Sequence, residues 1–255
     1  MKKVIKFFRF LIGIIIIIPV MTVITLISII FGAVFRLLHL YKLGEVVPHA
    51  ILTILDRWII YFMGAYIKIE GKENLPPRGE KYCFFPNHNS VMDIPAIYAT
   101  GRWPGMISKK EMNKVPLIHG LLWLLHCPLI DRSSPKSAIE AIHKGTANIE
   151  KGIPMVIFPE GTRNKCGQVA EFKAGSFKMA TRAKAKVVPV VIKNTRQAFE
   201  DAHYLGLVPI YVKILPPLDT ADMSQEEIQN LHTVVENSVR EEFEKLPAFP
   251  RKKNG

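Results

Sequence analysis

Residues 10–35, FLIGIIIIIPVMTVITLISIIFGAVF, contain no charged side chain. Roughly 20 apolar residues suffice to cross the hydrocarbon core of a bilayer as a helix, so this run belongs in lipid. Lys2, Lys3, Lys6 and Arg9 precede it. A secretory signal peptide begins the same way, but the run is too long for one and lacks a clear small-residue cleavage site. Arg36 and Lys42 follow it, and a single crossing would place one basic group on the wrong side. A second stretch, AILTILDRWIIYFMGAYI over 50–67, is interrupted by Asp56 and Arg57 and carries aromatic residues suited to a membrane interface. It reads as an interfacial helix rather than a second span. Two helices embedded from one face, the first bent at Pro19, keep both flanks in one compartment. A helical pair buried in a soluble protein is the alternative.

Beyond this segment the composition changes. The 255 residues are 49% hydrophobic and 22% charged, which excludes wholesale disorder and suits one α/β domain plus an appendage. Cys83, Cys127 and Cys166 lie far apart, against a disulfide scaffold or a Cys-rich zinc site and in favour of a reducing compartment. After Gly71, short apolar runs bounded by Pro, Gly or Asn predict strands at 82–86, 105–108, 127–131, 155–159, 187–192 and 210–215. Helices are expected at 110–126, 135–151 and 175–185. The second has Ser134 as N-cap, Pro135 at its first position and Gly152 past its end, with Ile139, Ile142, Thr146 and Ile149 facing inward. A capping box, Ser224 to Glu227, opens a last helix whose stripe runs through Ile228, Leu231, Val235, Val239, Phe243 and Leu246. The expected architecture is an α/β domain over 71–250, a mixed central sheet flanked by helices, preceded by a membrane-embedded helical pair within 1–70. Only the basic tail, Arg251 to Lys253, reads as disordered.

Four strand ends carry candidate chemistry. NHNSVMD follows the first strand, and His88 and Asp93 stand five positions apart, about 140° apart on a continuous helix. They meet only if a loop runs into a helix, and Asp93 before Ile94-Pro95 supplies such a start. A carboxylate on one imidazole nitrogen leaves the other as a base near neutral pH. FPEGTR follows the strand at 155–159; Gly161 permits close backbone approach, Thr162 offers a hydroxyl and Arg163 a bidentate fork for phosphate. The alternative there is an ordinary turn with a Glu160–Arg163 ion pair. SKKEM places Lys109, and IDR places Arg132, at two further strand ends, where open α/β sheets hold ligands.

The ordered set NHNSVMD, SKKEM, PLIDR, FPEGTR and VVPVVI resembles the glycerolipid acyltransferases, closest to the 1-acyl-glycerol-3-phosphate (lysophosphatidic acid) acyltransferases. The resemblance runs from Tyr82 to Ile192 and is most specific in the His-x4-Asp and FPEGTR pair. It implies that His88 is the general base on the acceptor hydroxyl and that Asp93 orients it. It further implies that Lys109, Arg132 and Gly161-Thr162-Arg163 hold the acceptor phosphate, with Glu160 fixing the loop or the acceptor. Pro189 would shape an acyl tunnel. The implied reaction moves a fatty acyl group from acyl-CoA or an acyl carrier protein thioester to lysophosphatidic acid; glycerol-3-phosphate or a headgroup-bearing lysophospholipid is the alternative acceptor. No resident cofactor or metal is implied. The implied setting is a membrane bilayer, with the active site at its cytoplasmic face.

The net charge of +12 would also suit a nucleic-acid-binding protein, but no helix-turn-helix, finger or aromatic RNA platform is present. Metal-assisted hydrolysis by His88, Asp93, Asp131 and Glu160 lacks a compact ligand motif such as H-E-x-x-H. Cys83, five residues before His88, is the one thiol close enough in sequence to be considered as a nucleophile.

Overall fold

Runs such as YCFFP at 82–86 and VVPVVI at 187–192 are apolar at every position, which requires cover on both faces of the sheet they form. The structure, a computed structural model, describes residues 15, 18–114, 116–131, 133–201 and 207–249. Lys2, Lys3, Lys6, Arg9, Arg132 and the tail 251–253 lie outside these. The chain folds in the order α1 (Ile18–Leu37), α2 (Tyr41–Phe62), β1 (Ala65–Glu70), β2 (Tyr82–Pro86), α3 (Asp93–Tyr98), β3 (Gly105–Met106) and β4 (Ser108–Lys109). Next come α4 (Pro116–Leu124), β5 (Leu129–Ile130), α5 (Pro135–Glu150), β6 (Met155–Val156), α6 (Lys178–Arg182) and β7 (Lys186–Lys193). The chain closes with α7 (Thr195–Ala198), β8 (Val208–Ile214), β9 (Leu218–Asp219) and α8 (Gln225–Lys245).

The main sheet has the order β1-β8-β7-β2-β6-β3, with β9 also on β7, and β4 and β5 form a separate pair. Strands β7, β2, β6 and β3 are mutually parallel, whereas β8 is antiparallel to β7 and parallel to β1. Four carboxyl ends therefore open along one edge. Phe84, Val156, Val188 and Ile192 pack with Leu52 and Ile60 of α2 and Ile97 of α3 on one face. Cys83, Phe85, Val187 and Val191 pack on the other against Ile149, Met179 and the Leu231–Val235–Val239–Phe243 stripe of α8.

Both predicted caps form: Ser134 accepts from the Ser137 N–H, and Ser224 with Glu227 makes the capping box. Other expectations change. The sheet takes in β1, which lies before the Gly71 divide, so residues 50–67 hold a helix end and a strand start and not one interfacial helix. Asp56 and Arg57 do not merely interrupt an apolar surface. Asp56 is buried, and the Arg57 guanidinium donates twice to the Ala99 carbonyl at the end of α3 (3.2 and 2.8 Å), tying α2 to the domain. Among the described residues α2 carries Pro48 within it, while the chain just before Pro19, where α1 is expected to bend, lies outside those described. Ile139 is exposed, because the inward face of α5 turns to Ala141, Gly145, Thr146 and Ile149. A Cβ on Gly145 would meet the Sδ and Cε of Met179, so a larger residue there would push the Met179 side chain out of its packed position against α5. Pro189 lines a cavity with Leu215, Leu218 and Glu242, away from His88. Lacking an N–H, it falls where the partner of β7 changes from β8 to β9, and its carbonyl accepts from Leu215 N–H.

No helix among the described residues is long and apolar enough to cross a membrane. In α1 the buried positions include Thr25 and Ser28, while Val23, Ile27, Ile30, Phe31 and Val34 are exposed.

Candidate active site

Where β2 ends, Asn87 replaces the next ladder bonds with its side chain: Nδ2 donates to Ile192 O (2.9 Å) and Oδ1 accepts from Ile192 N–H (2.8 Å). This fixes the point at which His88 leaves the sheet. Its main chain is then clamped from the loop after β6. The His88 N–H donates to Glu160 Oε1 (2.8 Å), and the Asn164 N–H donates to the His88 carbonyl (2.7 Å). The ring stacks on Phe158, with centroids 4.0 Å apart and planes at 28°. Two motifs separated by some 70 residues thus hold one imidazole.

Asp93 is the first residue of α3 and fully buried. Its Oδ2 lies 2.8 Å from His88 Nδ1 and also accepts the N–H groups of Asn89 (2.7 Å) and Ser90 (2.8 Å). The loop running into a helix brings the pair together as the spacing requires, but the carboxylate reaches back to the loop and makes no side-chain cap on the helix. Its Oδ1 accepts from Thr195 Oγ1 at 2.6 Å. With Asp93 on Nδ1, the proton sits there and Nε2 keeps its lone pair.

Around His88 lie two connected spaces. One, of about 580 Å³, is lined by Ile94, Met106, Met112, Ile130, Val156, Ile157 and Phe158 together with His88, Lys109 and Gly161. The other, of about 610 Å³, is lined by Lys109, Thr162, Arg163, Lys165, Arg196 and Glu200, again with His88 and Gly161. An apolar lobe and a cationic lobe therefore share His88, Lys109 and Gly161. Gly161 has φ +75°, in the left-handed region that favours glycine, and a Cβ there would meet Lys173 Nζ at 3.0 Å.

Of the residues expected from sequence, His88, Asp93, Lys109, Gly161, Thr162 and Arg163 converge. Arg132 lies outside the described residues. Glu160 is buried behind the loop: Oε1 holds the His88 N–H and, among the described residues, Oε2 has no hydrogen-bond partner. Burial pushes its carboxyl up to about 7, against the His88 N–H, which holds it down. The Glu160–Arg163 turn pair does not form; Arg163 instead approaches Glu200, 4.0 Å away, which also accepts from Ser90 Oγ and Val91 N–H. Cys83 is fully buried in β2 and burial pushes its thiol far above the ordinary value, so it is no nucleophile. Sequence reasoning reads Lys165 and Arg196 only as members of a basic stretch running from Arg163 to Arg196, and passes over Glu200 and Thr195 altogether. Lys165 follows the FPEGTR motif directly and was open to a place in the site, whereas the other three follow β7 and carry no local signature.

A profile described as Acyltransferase matches residues 66–193. The chain is 32% identical over 197 residues to a 1-acyl-sn-glycerol-3-phosphate acyltransferase of Limnanthes douglasii, covering 74% of this chain and 66% of that protein. It is 28% identical to the protein of that name from Borreliella burgdorferi, covering 75% of it, and 31% identical to that of Saccharomyces cerevisiae, covering 56%. The chain thus spans between about half and three quarters of the length of these relatives. The crystal structure of the 1-acyl-sn-glycerophosphate (LPA) acyltransferase PlsC from Thermotoga maritima superposes with a TM-score of 0.66 at 23% identity, covering 89% of this chain and 98% of that one. That likeness is one of fold.

Proposed function

The chain belongs to the acyltransferase family, and on that premise we propose that it transfers a fatty acyl group from a thioester donor to the free hydroxyl of lysophosphatidic acid, giving phosphatidic acid. The observation that carries this reading is the position of His88 at the seam of an apolar and a cationic lobe. A lysophosphatidic acid is itself half hydrocarbon and half phosphate, and its free hydroxyl lies between the two.

His88 Nε2 removes the hydroxyl proton as the oxygen attacks the thioester carbonyl. The tetrahedral intermediate collapses with cleavage of the C–S bond, and the departing thiolate takes the proton back from the imidazolium. Asp93 stabilises that imidazolium. Lys109 and Arg163, with the Gly161-Thr162 backbone, hold the phosphate, and Arg132 of the matching motif belongs to the same group. No covalent acyl-enzyme is involved, and acyl-CoA or an acyl carrier protein supplies the thioester as a co-substrate. General-base catalysis of this kind contributes about 10²–10⁴ in rate.

The same reading places the α1–α2 hairpin in one leaflet. Small polar residues pack inside and large apolar ones face out on α1, the reverse of a soluble helix and the arrangement expected next to lipid. The basic flanks, Lys2 to Arg9 on one side and Arg36 with Lys42 on the other, set the active site at the cytoplasmic face.

Purified protein in detergent, given acyl-CoA and acyl carrier protein donors and a panel of acceptors, tests the assignment. Lysophosphatidic acid is expected to give the highest kcat/KM. Faster transfer to glycerol-3-phosphate or to a choline-bearing lysophospholipid would overturn the choice of acceptor.

A further inference from the structure

The two oxygens of Asp93 have separate duties. Oδ2 faces His88 Nδ1 and the Asn89 and Ser90 N–H groups, all from its own loop. Among the described residues Oδ1 receives one side-chain hydrogen bond, from Thr195 Oγ1 at 2.6 Å, across 102 residues of sequence. Thr195 is 1% exposed and lines neither lobe, so it touches no substrate.

What holds Thr195 is equally specific. Asn194, immediately before it, adopts the left-handed region with φ +71°, uncommon for any residue but glycine. Its side chain is used in full: Nδ2 donates to Pro209 O (3.0 Å) and Pro247 O (3.1 Å), and Oδ1 accepts from Phe249 N–H (3.0 Å). Lys193 is buried and donates its ammonium to Phe243 O (2.5 Å), in the last turn of α8, and to Leu246 O (2.8 Å), the residue that ends it. Three consecutive residues, the last of β7 and the two after it, thus join β8, the carboxyl end of α8 with the segment that follows it, and the dyad.

We propose that Thr195 is a positioning residue for acyl transfer. Its hydroxyl locks the rotation of the Asp93 carboxylate so that Oδ2 stays on His88 Nδ1, and the Lys193-Asn194 turn anchors that hydroxyl to the C-terminal segment. The proposal rests on the acyltransferase reading for its kinetics but not for its spectroscopy. A carboxylate bonded through one oxygen can swing about its terminal torsion, which is broad. Bonds to its second oxygen remove that freedom, as the outer partners of an imidazole-orienting carboxylate do in metal sites.

Thr195→Val keeps the shape and removes the donor; Thr195→Ser restores it. For Thr195→Val, kcat is expected to fall by about ten- to a hundredfold while KM for the acceptor stays within about twofold, the size expected for one hydrogen bond to a charged group. Thr195→Ser should recover kcat to within roughly threefold of the wild type. In ¹⁵N spectra the neutral wild-type His88 ring is expected to carry its proton on Nδ1, facing Asp93, and Thr195→Val to show a mixture of tautomers. A kcat within about twofold of wild type in Thr195→Val, or equal losses in Val and Ser variants, overturns the proposal. Should no form of the protein transfer acyl groups, the functional reading fails, and the ring spectra alone decide the role of Thr195: an unchanged tautomer in Thr195→Val refutes it.

Discussion

Glu160 shows how a single side chain can serve structure and titration together. It anchors the His88 main chain from a buried position, and burial raises its carboxyl from the ordinary 4.5 to about 7. Between those values the folded chain keeps a proton that the unfolded chain has released. Stability contributed by the protonated form is therefore complete below pH 4.5 and is lost as pH rises through 7, a fall on the order of 3 kcal/mol. Glu160→Gln preserves an acceptor for the His88 N–H and abolishes the titration. Denaturation midpoints of the wild type should decline between about pH 5 and 8 while those of Glu160→Gln stay level; parallel curves would contradict this. Sequence spacing makes the His88–Asp93 contact legible because both residues lie in one short loop. It leaves Thr195 and Glu200 hidden, since each reaches the dyad loop from more than a hundred residues away through tertiary packing, and a threonine or glutamate after a strand is an ordinary residue. Pro189 misleads for the converse reason: its motif matches, but the missing N–H acts on the sheet ladder and not on the acyl groove.

At the scale of elements, capping residues predict helix ends well because the signal is local: Ser134 and Ser224 each bond an amide three residues on. Strand lengths are less legible. The run at 155–159 yields only two paired residues, because β3 and β2 offer partners to Met155 and Val156 alone before the chain turns into the site. Strand β1 alternates buried or half-buried with exposed positions, AYIKIE, a visible period of two that the apolar helix before it obscured. The same ambiguity touches α2, whose inner face docks on α3 through Arg57 while Ile54 and Trp58 remain exposed. Ile54→Glu with Trp58→Glu should weaken sedimentation with anionic liposomes by about tenfold or more, given the apolar area withdrawn from lipid, and leave the melting temperature unchanged. Undiminished liposome binding would remove this hairpin from the membrane.

On the scale of the whole molecule, one topological fact assembles the site. Four parallel strands, β7, β2, β6 and β3, end at the same edge, and the chain leaving each delivers a different part: Thr195 and Arg196, His88 with Asp93, the Glu160–Arg163 loop, and, by way of β4, Lys109. Helices α2 and α3 cover one face and α5, α6 and α8 the other, and at that edge His88 is held from both motifs at once. The meeting of the strand ends that carry His88, Lys109 and Arg163 was legible as a pattern, whereas the expected fourth, at Arg132, lies outside the described residues and the end of β7 enters the site without a local signal. The division of the space into apolar and cationic lobes meeting at His88 was not legible either, since it depends on the separate β4–β5 pair and on the Met112 and Ile130 side chains that line one lobe. The central claim is that this one imidazole is the base. Phosphatidic acid formation from lysophosphatidic acid and an acyl thioester, measured by mass spectrometry for wild type and His88→Ala at matched acceptor binding, tests it most directly. The account predicts a rate for His88→Ala at or below about a hundredth of wild type with acceptor affinity retained, and a variant that kept more than about a tenth of the wild-type rate would contradict it.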